Sequence, residues 1–201
     1  MSKPIKKAVL LLMMTFVVIV AYPYADSWLS VRQSVPVIPN TQLPLSYKGS
    51  RDIVFVLDAN SASQSQLNQV KEQIKQYQLA FPLSRIGLVA YRSSQDQFAT
   101  LAFDFSSESN LLESQLARIA ASGRRGITSS IDEALFDALY TLSWRKNLSV
   151  QHNIVLVSDN QHDVQQVKLS AQREQRPLLS HPVKYHTFAL KEFMSLSFIG
   201  R

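Results

Sequence analysis

After Arg51 the chain alternates unbroken apolar runs with amphipathic stretches. The run Ile53 to Leu57 (IVFVL) is apolar at every position, which predicts a central strand covered on both faces. From Gln64 to Leu79, Leu67, Val70, Ile74 and Tyr77 recur at helical spacing, with Lys71, Glu72 and Lys75 on the opposite side. This predicts an amphipathic helix that Pro82 ends. Ile86 to Tyr91 (IGLVAY) predicts a second buried strand, and Gln97 to Phe105 alternates in the manner of an antiparallel edge strand. A short helix is expected from Glu108 to Ala120, then the loop Ser122-Gly123-Arg124-Arg125-Gly126. A long helix follows from about Ser130 to Trp144, its inner face made of Ile131, Ala134, Leu135, Ala138, Leu139 and Leu142. Asn153 to Val157 (NIVLV) reads as another buried strand, Val164 to Arg173 as a weaker helix and Val183 to Leu190 as the last strand. Lys191 to Arg201 leave room for one brief helix, so a sheet face is expected to lack its closing helix.

Strands alternating with helices predict an α/β fold: a doubly wound, mostly parallel sheet with one antiparallel edge strand. The expected organisation is an N-terminal signal or anchor over 1–25, a spacer over 26–50 and one compact domain over 51–201. The spacer assignment rests on Pro36, Pro39 and Pro44 among short polar stretches with no sustained period.

The first 25 residues follow a different pattern. Lys3, Lys6 and Lys7 precede an uncharged run that starts at Ala8, and Asp26 closes it. Eighteen uncharged residues are near the lower limit for a membrane-spanning helix. The same composition suits a secretory signal, but a cut after Ala25 would place Pro23 where a small residue is wanted. An uncleaved single-pass anchor is therefore favoured over a cleaved signal. Lysines before the span put the N-terminus in the cytoplasm and everything after Ala25 outside.

Composition narrows the function classes. The net charge of +6 falls to +3 once Lys3, Lys6 and Lys7 are set aside, and the remaining basic residues are scattered, which argues against nucleic-acid binding. No cysteine is present, which excludes disulfides, thiolate nucleophiles and cysteine-ligated metals. A cysteine-free exported chain points to a bacterial envelope, with the C-terminal domain in the periplasm of an inner-membrane protein or released there after cleavage. His152, His162, His181 and His186 include no pair at metal-ligand helical spacing. The triplet Asn147-Leu148-Ser149 matches a glycosylation sequon, a pattern too short to decide anything.

Ligands of open parallel sheets gather at the carboxyl ends of the strands. Asp58 and Asp159 directly follow the two most apolar strands, and the polar loop Gly126-Ile127-Thr128-Ser129-Ser130 opens the long helix between them. The order of strand IVFVLD, helix, strand IGLVAY, edge strand, helix, Gly-x-Thr loop, helix and strand IVLVSD resembles a von Willebrand factor A (VWA) domain over roughly 51–190. The resemblance implies a Rossmann-like VWA fold. It also implies a metal-ion-dependent adhesion site, built in that family from a DxSxS motif, a threonine loop and a distal aspartate. Asp58 matches the first aspartate, Thr128 or Ser129 the threonine and Asp159 the distal aspartate. Asn60 and Ala62 stand where the family has serines, with Ser61 and Ser63 one place out of register. An Asn carbonyl can ligate a hard cation and an Ala methyl cannot, so Mg2+ is expected to bind weakly or not at all. The alternative is that Asp58 and Asp159 simply cap neighbouring loops and helix ends.

The expected function is a membrane-tethered, extracytoplasmic module that binds a protein partner, with Arg124 and Arg125 placed to meet an acidic side chain. A purely structural subunit of a membrane complex is a second reading. A Mg2+-dependent phosphoryl-transfer enzyme is a third, weakened by Asn60 where that class places a second aspartate. No nucleophile elbow, phosphate loop or dinucleotide motif is present, so the chain is not expected to be an enzyme.

Overall fold

The computed structural model describes residues 49–122, 129–173 and 183–198. The N-terminal apolar segment, the spacer, Arg124, Arg125, Thr128 and His181 lie outside the described residues. Five strands form one sheet: β1 (Arg51–Asp58), β2 (Ser84–Tyr91), β3 (Thr100–Ser106), β4 (Gln151–Val157) and β5 (Lys184–Phe188). Their order is β3-β2-β1-β4-β5, parallel throughout except where β3 runs against β2. The α/β class, the mostly parallel sheet and the antiparallel edge strand agree with the pattern of apolar runs.

All eight residues of β1 are buried because helices cover both faces. Successive side chains of a strand point to opposite faces, so the run feeds two cores. Ile53, Phe55 and Leu57 pack with Leu67, Val70, Ile74 and Tyr77 of α1 (Gln64–Ala80), with Leu112 and Leu116 of α2 (Ser109–Arg118) and with Phe193 of α5 (Leu190–Met194). Val54 and Val56 pack with Ile131, Ala134 and Leu135 of α3 (Ile131–Phe136) and with Val167 of α4 (Gln161–Arg173). α1 starts from a capping box: Ser63 Oγ accepts from Gln66 N at 3.2 Å and Gln66 Oε1 accepts from Ser63 N at 2.9 Å.

The long helix expected from Ser130 to Trp144 is shorter and broken. α3 ends at Phe136 and continues as a π-helical turn over Asp137–Thr141, after which Leu142 is extended. Asp104 Oδ1 accepts from Ser143 N at 2.8 Å, which holds the chain where it leaves the turn. The Trp144 indole N–H donates back to Ala138 O at 2.9 Å, and its ring packs edge-on against Phe105 and His152. β3 begins at Thr100 rather than Gln97, because the residues before it form a turn in which Asp96 N donates to Ser93 O. The last strand stops at Phe188, and Leu190 already opens α5. Gly87 sits in β2 where an added Cβ would lie 3.0 Å from Leu142 Cδ1 and 3.3 Å from the Phe105 ring, a close approach that a side chain would obstruct.

At the amino end of the strands, Asp52 is fully buried and clamped by two arginines. Arg85 donates to both carboxylate oxygens, at 3.0 and 2.7 Å, and Arg145 donates from Nε at 2.8 Å and from its backbone N at 2.8 Å. The clamp joins β1 to β2 and to the segment before β4. Burial alone would raise the Asp52 carboxyl, but the hydrogen bonds from Arg85 and Arg145 outweigh it and hold the group below the usual range. A carboxyl lowered in the folded state stabilises the fold above its unfolded pKa of about 3.9, and that stability is lost as pH falls through the folded value. Asp52→Ala should cost about 2–3 kcal/mol in urea denaturation at pH 7, somewhat below a fully buried pair because both guanidinium groups reach solvent. The gap between variant and wild type should close as the pH is lowered below about 4.

His186, buried on β5, is lowered to about 4 by burial and then by Lys184. A histidine lowered in the fold leaves the unfolded chain holding more protons below about 6.5. The melting temperature should therefore fall between pH 6.5 and about 4, and His186→Gln should flatten that part of the profile.

Candidate functional site

Because β1 and β4 are parallel neighbours, their carboxyl ends deliver Asp58 and Ser158 side by side. Asp58 is 1% exposed and accepts four hydrogen bonds. Its Oδ1 takes Asn60 N and Ser61 N, each at 2.9 Å, and its Oδ2 takes the hydroxyls of Ser61 and, at 3.0 Å, Ser158. The turn after β1 thus folds around the carboxylate that ends the strand, an arrangement short polar side chains favour.

Ser158 connects Asp58 to a second carboxylate, Asp163, which is fully buried in the first turn of α4. Ser158 Oγ lies 3.1 Å from Asp163 Oδ2 and accepts from Asn160 N at 3.0 Å. Asp163 also accepts from Tyr91 OH at 2.6 Å and from Ser129 Oγ at 2.6 Å. Tyr91 reaches this point because it ends β2 in register with Asp58. Ser158 has a single proton and two carboxylate oxygens within reach, so it can donate to only one of them at a time.

The electrostatics follow. Burial, with a further contribution from Asp58, raises Asp163 despite the hydroxyls of Ser129 and Tyr91. Tyr91 is pushed well above its ordinary value by burial and by the two aspartates, so it remains a neutral donor.

The structure distributes the sequence candidates unevenly. Asp58, Asn60 and Ser129 lie on the same edge; Asn60 is 3% exposed, and its Oδ1 and backbone O both meet Ser122 Oγ, at 3.3 and 3.2 Å. Asp159 is exposed and its Oδ1 accepts from Leu190 N at 2.9 Å, capping the first turn of α5. Asp163, not Asp159, shares the Ser158 hydroxyl with Asp58. Ala62 is fully buried in the core with Ala59, and Ser63 is consumed as the α1 cap. Ser61 takes the hydroxyl contact with Asp58. Thr128, Arg124 and Arg125 lie outside the described residues.

Sequence reasoning missed Tyr91, Ser158 and Asp163. The available signals were a tyrosine closing the apolar strand IGLVAY and an aspartate one helical turn past Asp159. Arg92, next to Tyr91, braces the edge: its Nε and Nη2 donate to Ala120 O, its guanidinium lies 4.3 Å from the Phe98 ring centroid, and its backbone O accepts from Ser130 N. Buried Lys71 of α1 reaches Ile119 O at the end of α2, which anchors the loop carrying Ser122. Among the described residues no three His, Cys, Asp or Glu side chains come together as a metal cluster, so any cation here would rely on hydroxyls beside Asp58 and Asp163.

This arrangement sits in a recognised family. The von Willebrand factor type A domain model matches residues 52–192, and the chain belongs to that family. No curated protein matches the chain by sequence. Among solved structures, a conserved hypothetical protein, BatB, from Bacteroides thetaiotaomicron is similar at a TM-score of 0.51 and 15% identity. That match covers 69% of this chain and 65% of BatB, so the chain spans less than two thirds of that protein. An aerotolerance-related membrane protein from Bacteroides fragilis matches with a TM-score of 0.47 and 13% identity, over 69% of this chain and 66% of that one. Proximal thread matrix protein 1 from the mussel byssus matches with a TM-score of 0.49 and 16% identity, over 70% of this chain and 36% of that one. At these identities the likeness is one of fold.

A carboxyl raised in the folded state lets the unfolded chain ionise first, so stability declines as pH rises from about 3.9 through the folded value and then levels off. Without divalent cations, Asp163→Asn should remove that decline and raise the melting temperature at pH 7. A variant that melts below wild type at pH 7 would show that the hydrogen bonds of the charged form outweigh its burial.

Proposed function

We propose that this chain is a non-enzymatic binding module held outside the cytoplasm by an uncleaved N-terminal anchor in a bacterial inner membrane, and that the carboxyl edge of its sheet engages a protein partner. The observation that carries this reading is the pair of buried carboxylates, Asp58 and Asp163, facing one serine hydroxyl. Two aspartates so placed favour a positive charge between or beside them. The donors around them are all oxygens: the two carboxylates and the hydroxyls of Ser61, Ser129 and Ser158. That is the ligand chemistry a hard divalent cation such as Mg2+ requires. Asn60 and Thr128 are further candidate oxygens, and Asp159 is the outermost, on the same edge.

A cation held there would supply positive charge for an acidic side chain of the partner. The chain's own residues do the rest. Asp58 and the Asn60–Ser61 turn fix the floor, Tyr91 and Ser129 orient Asp163, and Arg92 with Lys71 steadies the surrounding loops. Arg124 and Arg125 are assigned to the partner's acidic group. Ala62 supplies no oxygen, so cation affinity should be modest, with a Kd on the order of 10⁻⁴–10⁻³ M, as in weak extracellular cation modules. The non-enzymatic reading is supported by Asp58 itself, whose carboxylate oxygens are both engaged by hydrogen bonds and poorly disposed for nucleophilic attack.

Calorimetric titration of the detergent-solubilised full chain with Mg2+ and Mn2+ tests the cation. Saturable heat that Asp163→Asn and Asp58→Asn each abolish is expected, and absence of both heat and any melting shift would remove the metal from the reading. Hydrolysis of a chromogenic phosphate ester that is lost in Asp58→Asn would overturn the non-enzymatic assignment.

A further inference from the structure

The end of the sheet opposite Asp58 carries an unusual surface. Four large apolar side chains are at least 60% exposed among the described residues, and three of them, Leu79 (68%), Leu83 (60%) and Leu148 (70%), lie at this end. Leu79 is in the last turn of α1, Leu83 in the turn before β2 and Leu148 in the loop before β4. Leu83 immediately precedes Ser84, and Leu148 lies three residues before Gln151; both Ser84 and Gln151 pair with Arg51. Exposed leucines therefore flank the point where the chain enters the domain.

The charges at the two ends differ in sign. The same end of the sheet carries Arg85, Arg145, exposed Lys146 and exposed Lys184, against Asp52, Asp104 and Glu108. Asp52 is buried beneath Arg85 and Arg145, and Asp104 Oδ1 accepts from Ser143 N and Phe105 N. The carboxyl edge, by contrast, carries exposed or partly exposed Asp96, Asp132, Glu133 and Asp159 and buried Asp58 and Asp163, against Arg92. Apolar side chains mixed with lysine and arginine are what an interfacial lipid surface takes up: hydrocarbon at the acyl boundary and cations at anionic headgroups.

We infer that the amino end of the sheet, through Leu79, Leu83 and Leu148 with Lys146 and Lys184, rests on an anionic lipid bilayer. Three leucines and a few cations bind lipid weakly by themselves. Tethering changes this. Twenty-five residues separate Ala25 from Arg51 in the sequence, so an anchor in the same bilayer would raise the effective concentration of a weak lipid contact. The carboxyl edge then faces away from the membrane. The tethering clause rests on the anchor proposed above, whereas the lipid contact stands on the surface itself.

The chain contains no cysteine, so single-cysteine probes are unambiguous. Full-length Leu83→Cys and Leu148→Cys, each labelled with an environment-sensitive fluorophore, are mixed with vesicles of phosphatidylcholine and phosphatidylglycerol. Exposed Ser94→Cys, in the loop after β2 at the opposite end, is the control. Blue-shifted emission quenched by interfacial spin-labelled lipid is expected at 83 and 148 and not at 94. The shift should weaken in pure phosphatidylcholine, in high salt and in Lys146→Glu. No shift at 83 and 148, or an equal shift at 94, overturns the contact. Flotation of the same samples reports the anchor separately: a chain that floats without the shift keeps the anchor and loses the contact, and a chain that shifts at 148 without stable flotation does the reverse.

Discussion

Everything in this domain is referred to β1. Its eight residues are buried from end to end, and alternate side chains supply the centre of two cores on opposite faces of the sheet. Such a strand has no solvent face on which to place polar groups, so polarity is forced to its two ends. At the amino end Asp52 is neutralised by Arg85 and Arg145, and at the carboxyl end Asp58 is satisfied by the turn that follows it. The first arrangement joins neighbouring segments, and the second begins a hydrogen-bonded cluster at the carboxyl edge. Their difference lies in the counter-charge: Asp52 has two guanidinium groups, whereas Asp58 faces hydroxyls and a second carboxylate.

The two carboxylate clusters differ on physical grounds. A buried acid matched by arginines lies below its ordinary pKa and adds stability, and a buried acid beside another acid lies above it and costs stability. Groups that burden the fold in this way are commonly kept for what they bind. Ala62, whose methyl carries no oxygen, is buried in the core beside this edge. The Ser61 hydroxyl at the same edge turns to Asp58.

The polarity of the sheet also organises the molecule's surroundings. Acidic side chains collect where the parallel strands end, and leucines with basic side chains collect where they begin.

Much of this was open to inspection in the chain alone. Continuous apolarity in IVFVL and NIVLV marked central parallel strands, because only strands covered on both faces lose their polar alternation. The spacing of Leu67, Val70, Ile74 and Tyr77 marked α1 with an error of one residue. Asp58 was identified because a carboxylate ending an apolar strand must find its partners in the following turn. The π turn at 137–141 was not legible, since the apolar spacing of Ala138, Leu139 and Leu142 suits an uninterrupted helix. The break is held by Trp144 and Asp104, which meet the segment only through tertiary contact. Asp163 was hidden for the same reason. Nothing local distinguishes it from Asp159, four residues earlier, and only the packing of α4 against β5 and α3 brings it to Tyr91 and Ser158. Sequence by itself determined the strands and the helix faces, because these follow from local periodicity. Tertiary structure decided which aspartate meets Asp58 at Ser158, because that depends on which helix turn the fold brings beside the ends of its parallel strands.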